Sequence, residues 1–280
     1  MNLNKVRFYY KKTGRMEYIM TYPMICNYHT HTTRCQHAFG SDREYVEAAI
    51  SAGIKKLGFS DHVPYPFKDG YVSHIRMTTD ETEDYVTSVQ ALKAEYKDDI
   101  EIFLGFEAEY LKDLWDDLKA FLAPYHIDYL ILGQHFLGME GDGNYCGKPS
   151  PDEDRLTAYV DTVIEALRTN CFSYLAHPDL INFTGDEKVY KRQMTRLCLT
   201  AKELNIPLEI NLLGLREQRQ YPGDCFFSLA SSLGNSFILG RDAHEPAMFL
   251  DKQTFDDTWL FAQKHQIVPL LDVILRKPLF

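Results

Sequence analysis

Residues 27–40 read Asn-Tyr-His-Thr-His-Thr-Thr-Arg-Cys-Gln-His-Ala-Phe-Gly. In an extended strand, residues two apart point the same way, so His29 and His31 present two imidazoles to one point. Imidazole is the commonest protein ligand for zinc, iron or manganese near neutral pH, and two from one strand end supply half of a metal site. Taken alone, a His-x-His pair is more often a partly buried polar pair than a ligand pair. What decides between these readings is where the other ligand-type residues fall.

Outward from this stretch, short apolar runs alternate with amphipathic helical segments. Candidate strands are Ile25–His29, Lys56–Ser60, Glu101–Gly105, Asp128–Leu132, Phe172–Ala176, Pro207–Asn211 and Ser236–Gly240, with an eighth open at Gln266–Leu271. Between them, Ser41 with Glu44 forms a capping box, Val46, Ala49 and Ile50 give an apolar face, and Gly53 ends the helix. Thr78 with Glu81 opens a helix striped by Tyr85, Val89, Leu92 and Tyr96, and Ser150 with Glu153 opens another carrying Leu156, Val160, Val163 and Leu167. Further helices are expected over Met194–Leu204 and Phe226–Leu233. Repeated βα units with short turns require parallel strands and right-handed crossovers, so the expected architecture is α/β, a closed or nearly closed (βα) barrel.

In such barrels the chemistry sits where strands end and the following loops begin. The ligand-type residues fall there one after another. His29 and His31 end the first strand, with His37 in the loop beyond; Asp61 and His62 follow the second; Glu107 and Glu109 follow the third. His135 follows the fourth strand, His177 the fifth, Glu209 and Asn211 lie in the sixth, and Asp242 and His244 follow the seventh. Seven of the ten histidines therefore converge. His29, His31, His37, His62, Glu107, His135, His177, Asp242 and His244 exceed the roughly four to six ligands of one transition metal, so two or three ions must share them and a bridging carboxylate is expected. With Glu107 and Asp242 the only anions, three divalent ions would keep about four of their six positive charges, which attracts a phosphate dianion.

Composition narrows the partners. A chain of 280 residues, 45% hydrophobic and 25% charged, can bury a large core in one domain. A net charge of −10 argues against a nucleic acid or an anionic membrane as the main partner. The six cysteines form no Cys-x-x-Cys pair and suit free thiols in a reducing cytosol. Residues 1–24 carry basic residues but no apolar run of signal-peptide or membrane-span length, and the patterned sequence begins near Met24, so we expect a leader of little function at 1–24, one domain over 25–280, and a cytoplasmic protein.

His-Thr-His at 29–31, His37, Ser-Asp-His at 60–62, Gly-Phe-Glu at 105–107, Gly-Gln-His-Phe at 133–136, Ala-His-Pro-Asp at 176–179, Glu-Ile-Asn at 209–211 and Asp-Ala-His at 242–244 resemble the PHP (polymerase and histidinol phosphatase) superfamily. The likeness spans Met24 to about Leu250. Within it, His-Pro-Asp-Leu, Glu-Ile-Asn, Gly-Leu-Arg at 214–216 and Tyr-Pro at 221–222 resemble the histidinol-phosphate phosphatase branch. The resemblance implies a distorted (βα)7 TIM-like barrel with a trinuclear site of divalent ions (zinc, manganese or iron) at the C-terminal ends of the strands. It implies that His29, His31, Glu107 and Asp242 hold the first ion and His37, His62 and His244 the second, with His135 and His177 holding the third together with bridging Glu107. The implied reaction is hydrolysis of L-histidinol phosphate to L-histidinol and phosphate by a metal-bridging hydroxide, with His29, His31, Glu107, Asp242 and His244 at the reacting centre.

Two positions depart from the family pattern. Asn27 stands where an aspartate commonly precedes His-x-His, and Arg241 where a serine commonly precedes Asp-Ala-His. Arg241 is open to two readings, a bidentate phosphate ligand or a structural partner of Asp242 or Glu209, and we favour the second. For substrate binding we select Arg216 for phosphate, the 63–77 loop with Tyr65, Phe67, Tyr71, His74 and Arg76 as a cover for an imidazole-bearing substrate, and Glu109 or Asp179 for its ammonium group. The Gly141–Pro149 segment lacks the spacing of a phosphate-binding loop. Cys35 lacks a base partner, and His126 and His265 read as helix-end or surface histidines. The same chemistry on a nucleotide, a sugar phosphate or a phosphotyrosine protein is the first alternative, and a metal-binding module without turnover is the second.

Overall fold

A computed structural model describes residues 6–10, 16–20, 23–68, 70–278 and 280. The expected leader falls largely outside these residues; within it, β1 (Val6–Tyr10) and β2 (Met16–Met20) pair antiparallel. From residue 26 onward the chain forms a seven-stranded parallel sheet in sequence order: β3 (Cys26–Asn27), β4 (Lys56–Phe59), β5 (Glu101–Ala108), β6 (Tyr129–Leu132), β7 (Phe172–Leu175), β8 (Leu208–Asn211) and β9 (Phe237–Gly240). The ends nearly close: a parallel bridge joins Thr30 to Ala243, with His31 N–H donating to the Ala243 carbonyl at 2.9 Å and Ala243 N–H to that of His29 at 3.1 Å. This is the expected barrel, and each expected strand lies within two residues of its observed start.

Helices cover the outside: α1 (Asp42–Ser51), α2 (Thr82–Glu95), α3 (Trp115–Leu122), α4 (Glu153–Arg168), α5 (Glu187–Glu203), α6 (Leu212–Arg216), α7 (Asp224–Ser232) and α8 (Lys252–Lys264). Ser41 and Glu44 form the capping box of α1. The start of α4 is capped by Asp152, whose carboxylate accepts from Asp154 and Arg155 N–H, rather than by Ser150. Leu156, Val160, Val163 and Leu167 of α4 are buried against the strands, as their spacing requires. α3 and α8 were not expected from the sequence.

Two apolar regions result. The larger lies between the helices and the outer face of the barrel. The smaller fills the barrel interior with Cys26, Tyr28, Tyr129, Ile131, Tyr174, Ala176 and Ile238. The open eighth strand is instead an irregular tail across the lower, N-terminal end of the strands. Pro269 has no N–H for a ladder, and the tail is tied by Leu270 N–H to the Phe237 carbonyl at 2.7 Å. Tyr28 Oη and Lys56 Nζ each donate to Asp272 at 2.6 Å, and Val273 and Leu275 pack beneath the inner core. The lower end is thereby plugged, and the upper end is left for chemistry.

Candidate metal centre

The upper end gathers side chains from every strand terminus. His29 Nε2 lies 3.5 Å from Glu107 Oε2 and 3.4 Å from Asp242 Oδ1; His31 Nε2 lies 3.5 and 3.1 Å from the same two atoms. Four ligands at zinc-type bond lengths on a tetrahedron are separated by about 3.3 Å. All four atoms are buried and have no hydrogen-bond partner among the described residues. An arrangement of lone pairs converging at this spacing with nothing between them fits a divalent cation.

The other histidines extend the cluster around Glu107. His177 Nε2 is 2.8 Å and His135 Nε2 3.6 Å from Glu107 Oε1, while His62 Nδ1 is 3.1 Å from Oε2, so this one carboxylate faces three further imidazoles. The His37 and His244 rings stack at 4.8 Å, and His31 stacks on His244 at 4.1 Å. The nine sequence-selected residues are thus gathered in one contiguous cluster.

Most of these rings are oriented by a second bond on the far nitrogen. His29 Nδ1 faces Glu209 Oε1 at 2.8 Å and His135 Nδ1 faces Glu109 Oε1 at 3.0 Å, whereas His31 Nδ1 lies 3.4 Å from Asp61 Oδ1 without a hydrogen bond among the described residues. His37 Nδ1 donates to the Cys35 carbonyl and His244 Nδ1 to that of Asp242. Such partners fix the tautomer, leaving Nε2 as the free lone pair. Glu209 also accepts from His177 N–H at 3.0 Å and Asn211 Nδ2 at 2.9 Å. Backbone shape is specialised too. A side chain at Gly133 would collide with the Glu107 carboxylate and one at Gly240 with that of Glu209, and His177 and Asp242 adopt φ of 27° and 51°, uncommon for residues other than glycine.

Electrostatics divides the cluster. Burial, reinforced by His31, pushes His62 and His37 below the usual imidazole range and His244 down to about 3, so these rings are neutral and able to ligate. Burial also opposes charge on His29 and His31, yet Asp242, Glu209 and Glu107 outweigh it for His29, and Asp242, Asp61 and Glu107 for His31. Both are raised, His31 to about 9. The carboxylates therefore favour a positive charge between these two rings, whether it arrives as protons or as a metal ion.

A cavity of about 360 Å³ opens over the cluster, lined on the metal side by His37, His62, Glu107, His135, Asp242 and His244 and on the other by Ile75, Phe136, Tyr145, Leu213, Glu217, Arg219 and Tyr221. The residues selected for substrate binding lie mostly elsewhere. Arg216 Nη2 is held by Glu245 at 2.7 Å and is not in the lining. His74 is exposed, and among the described residues of its loop only Ile75 lines the cavity. Arg241 is buried with its Nη1 on the Met248 carbonyl at 2.6 Å and its guanidinium over Phe249. These contacts tie it to the 246–250 segment, and its side-chain partners are neither Asp242 nor Glu209. Glu109 is consumed by Arg76 and His135, and Asp179 sits in a separate cavity, accepting from Gly223 N–H at 2.6 Å. Arg219 and Tyr145 escaped the sequence reading, although Arg219 lies one turn beyond the selected Arg216, and Tyr221 entered it only as part of the Tyr-Pro motif. His265, an expected helix-end histidine, is the C-cap of α8 and bonds Asp224.

Comparison with known proteins follows the same lines. The PHP domain model matches residues 27–212. The chain is 31% identical to the "Probable histidinol-phosphatase" of Deinococcus radiodurans over 231 residues, covering 79% of this chain and 87% of that one. It is 26% identical to the "Histidinol-phosphatase" of Bacillus subtilis over 249 residues, 78% and 92% of the two chains. Among solved structures, histidinol phosphate phosphatase from Lactococcus lactis, complexed with zinc, L-histidinol and phosphate, superposes with a TM-score of 0.67 at 18% identity, covering 90% of this chain and 99% of that one, a likeness of fold.

Proposed function

The chain belongs to the PHP domain family, and from that footing we propose that it is a divalent-metal-dependent phosphomonoesterase that hydrolyses L-histidinol phosphate to L-histidinol and phosphate. The observation that carries this reading is the convergence of four buried, unpartnered ligand atoms at tetrahedral spacing beneath a cavity of substrate size. The similarity to histidinol-phosphatases over most of both chains supports the substrate.

In this reading His29, His31, Glu107 and Asp242 hold one ion, His37, His62 and His244 a second, and His135 and His177 with Glu107 a third. Bound divalent ions supply a nucleophile near neutral pH by lowering the pKa of water, and they neutralise charge on the phosphoryl oxygens. The chain's own contribution is orientation. Glu209 and Glu109 fix the His29 and His135 rings. Arg219 lines the cavity paired with Glu217 (Nε to Oε2, 2.7 Å) and with Nη1 donating to Tyr221 Oη at 2.8 Å, so it would meet a phosphoryl oxygen by exchanging Glu217, which would in turn be released toward the substrate ammonium. Phe136, Tyr145 and Tyr221 supply aromatic walls for an imidazole.

The test is steady-state phosphate release from L-histidinol phosphate beside a panel of nucleotide, sugar and aryl phosphates, on protein of measured metal content. The reading requires kcat/KM for histidinol phosphate in the usual enzyme range of about 10⁴ to 10⁸ M⁻¹s⁻¹ and well above the panel. Preference for another ester overturns the substrate, and absence of turnover by metal-loaded protein overturns the reaction.

A further inference from the structure

Arg76 is 2% exposed and lies outside the metal cluster. Its guanidinium meets Glu109 with both ends, Nη1 to Oε2 at 3.0 Å and Nη2 to Oε1 at 3.1 Å. The same group donates through Nε to Glu140 Oε2 at 2.9 Å and through Nη1 to the Val63 carbonyl at 3.1 Å. Ser73 Oγ also donates to Glu140, and Gln36 Nε2 donates to the backbone carbonyls of Ser73 and Arg76. One buried cation thus ties the loop after β4 to the loop after β6, and both to the end of β5.

The consequence for the site runs through Glu109. Arg76 grips both carboxylate oxygens in a planar fork, so Glu109 cannot rotate away, and the same Oε1 is held 3.0 Å from His135 Nδ1. That bond keeps the proton on Nδ1 and turns Nε2 toward Glu107, where His177 also points. We propose that Arg76 is a positioning residue that sets the affinity of the site formed by His135, His177 and Glu107 for its metal ion, and that it joins this site to the two loops that carry Ile75 and Tyr145 into the cavity. The inference rests on the metal reading above but not on the identity of the substrate. A lysine would supply the charge without the fork, and a methionine would supply neither.

The test counts ions rather than turnovers. Purified full-length protein is stripped with chelator and titrated with Zn²⁺ against a chromophoric competitor, and bound metal is measured after gel filtration for the wild type, Arg76→Met, Arg76→Lys, Glu109→Gln and Glu140→Gln. We expect Arg76→Met and Glu109→Gln to weaken one ion by about 10- to 100-fold while the remaining ions bind as in the wild type. Arg76→Lys should recover part of that loss. Glu140→Gln, which cuts only the loop branch, should leave all ion affinities within about threefold and raise KM more than it lowers kcat. If Arg76→Met fails to fold, Glu109→Gln carries the test, because it keeps the Arg76 packing. Wild-type ion affinities in Glu109→Gln, or equal weakening of every ion in Arg76→Met, would overturn the proposal. If the wild type binds no divalent ion, the proposed function falls with it, whereas metal-binding wild type with unaffected variants removes this inference alone.

Discussion

In the barrel interior beneath the metal cluster, the hydroxyls of Tyr129 and Tyr28 have partners: Tyr129 Oη donates to the Tyr28 carbonyl at 2.8 Å and lies 3.1 Å from that of Phe59, and Tyr28 Oη reaches Asp272 at the lower end. At the upper end, the buried atoms His29 Nε2, His31 Nε2, Glu107 Oε2, His177 Nδ1 and Asp242 Oδ1 have none among the described residues. A buried polar group without a partner costs about 1–3 kcal/mol, so the upper end is held together at a deficit that the lower end offsets. The upper end keeps its lone pairs free for ions that bind only the folded chain.

The largest break in this contrast should come from Glu107, whose two oxygens face His29, His31 and His62 on one side and His135 and His177 on the other. Glu107→Gln should lower kcat/KM by at least about 10³-fold and reduce bound metal, measured by phosphate release and elemental analysis, because it weakens ligation at several positions at once. Thermal stability should fall only slightly in metal-free protein, since the substitution removes charge from an end that is already under-satisfied.

Metal removal separates the ends next. Free metal at about 100 times its Kd stabilises by roughly 2.7 kcal/mol per ion, and about 2–4 °C accompanies each kcal/mol in a chain of this size, so chelation should lower Tm by about 5–10 °C per ion lost. Differential scanning calorimetry with and without chelator checks this, and an unchanged Tm would mean that the upper end needs no ion to offset its cost. Glu209→Gln, which loosens His29 and the His177 backbone together, should weaken metal binding by about 10- to 100-fold in a competition titration while leaving the fold intact.

How much of this could be read from residues alone follows the same division. Strand ends and metal-type side chains were legible because each βα turn repeats one local pattern, an apolar run followed by His, Asp or Glu. The cavity's far wall was not. Arg216 and Arg219 both lie on the stretch after β8, and only three-dimensional neighbours show that Glu245 takes the first while the second lines the cavity. Arg76 was chosen as part of a possible cover, but its partners Glu109 and Glu140 come from 33 and 64 positions away. Asp272 carried no signal, since a lone acid in an irregular tail shows its purpose only when Tyr28 and Lys56 are seen beside it.

Asp272 gives the smallest effect and the sharpest control. Although partial burial pushes its carboxyl up, the Lys56 and Tyr28 hydrogen bonds outweigh this and hold it below the usual carboxylate range. The unfolded chain, with an ordinary carboxyl, binds more protons than the folded one between the lowered value and the usual one, so stability rises with pH across that window and is lost as pH falls through it. The group is about one-third exposed, 35% by surface, so after solvent screening Asp272→Asn should cost only about 1 kcal/mol near neutral pH. The difference between wild type and variant should be constant near neutral pH, begin to shrink as pH falls toward the ordinary carboxylate value of about 3.9, and vanish only below the lowered value of the folded chain. Because the plug lies at the end of the barrel away from the ions, the loss should be the same with and without chelator. A loss that depends on metal would show that the two ends are coupled through the barrel interior, and the division of labour argued from their hydrogen bonding would fail.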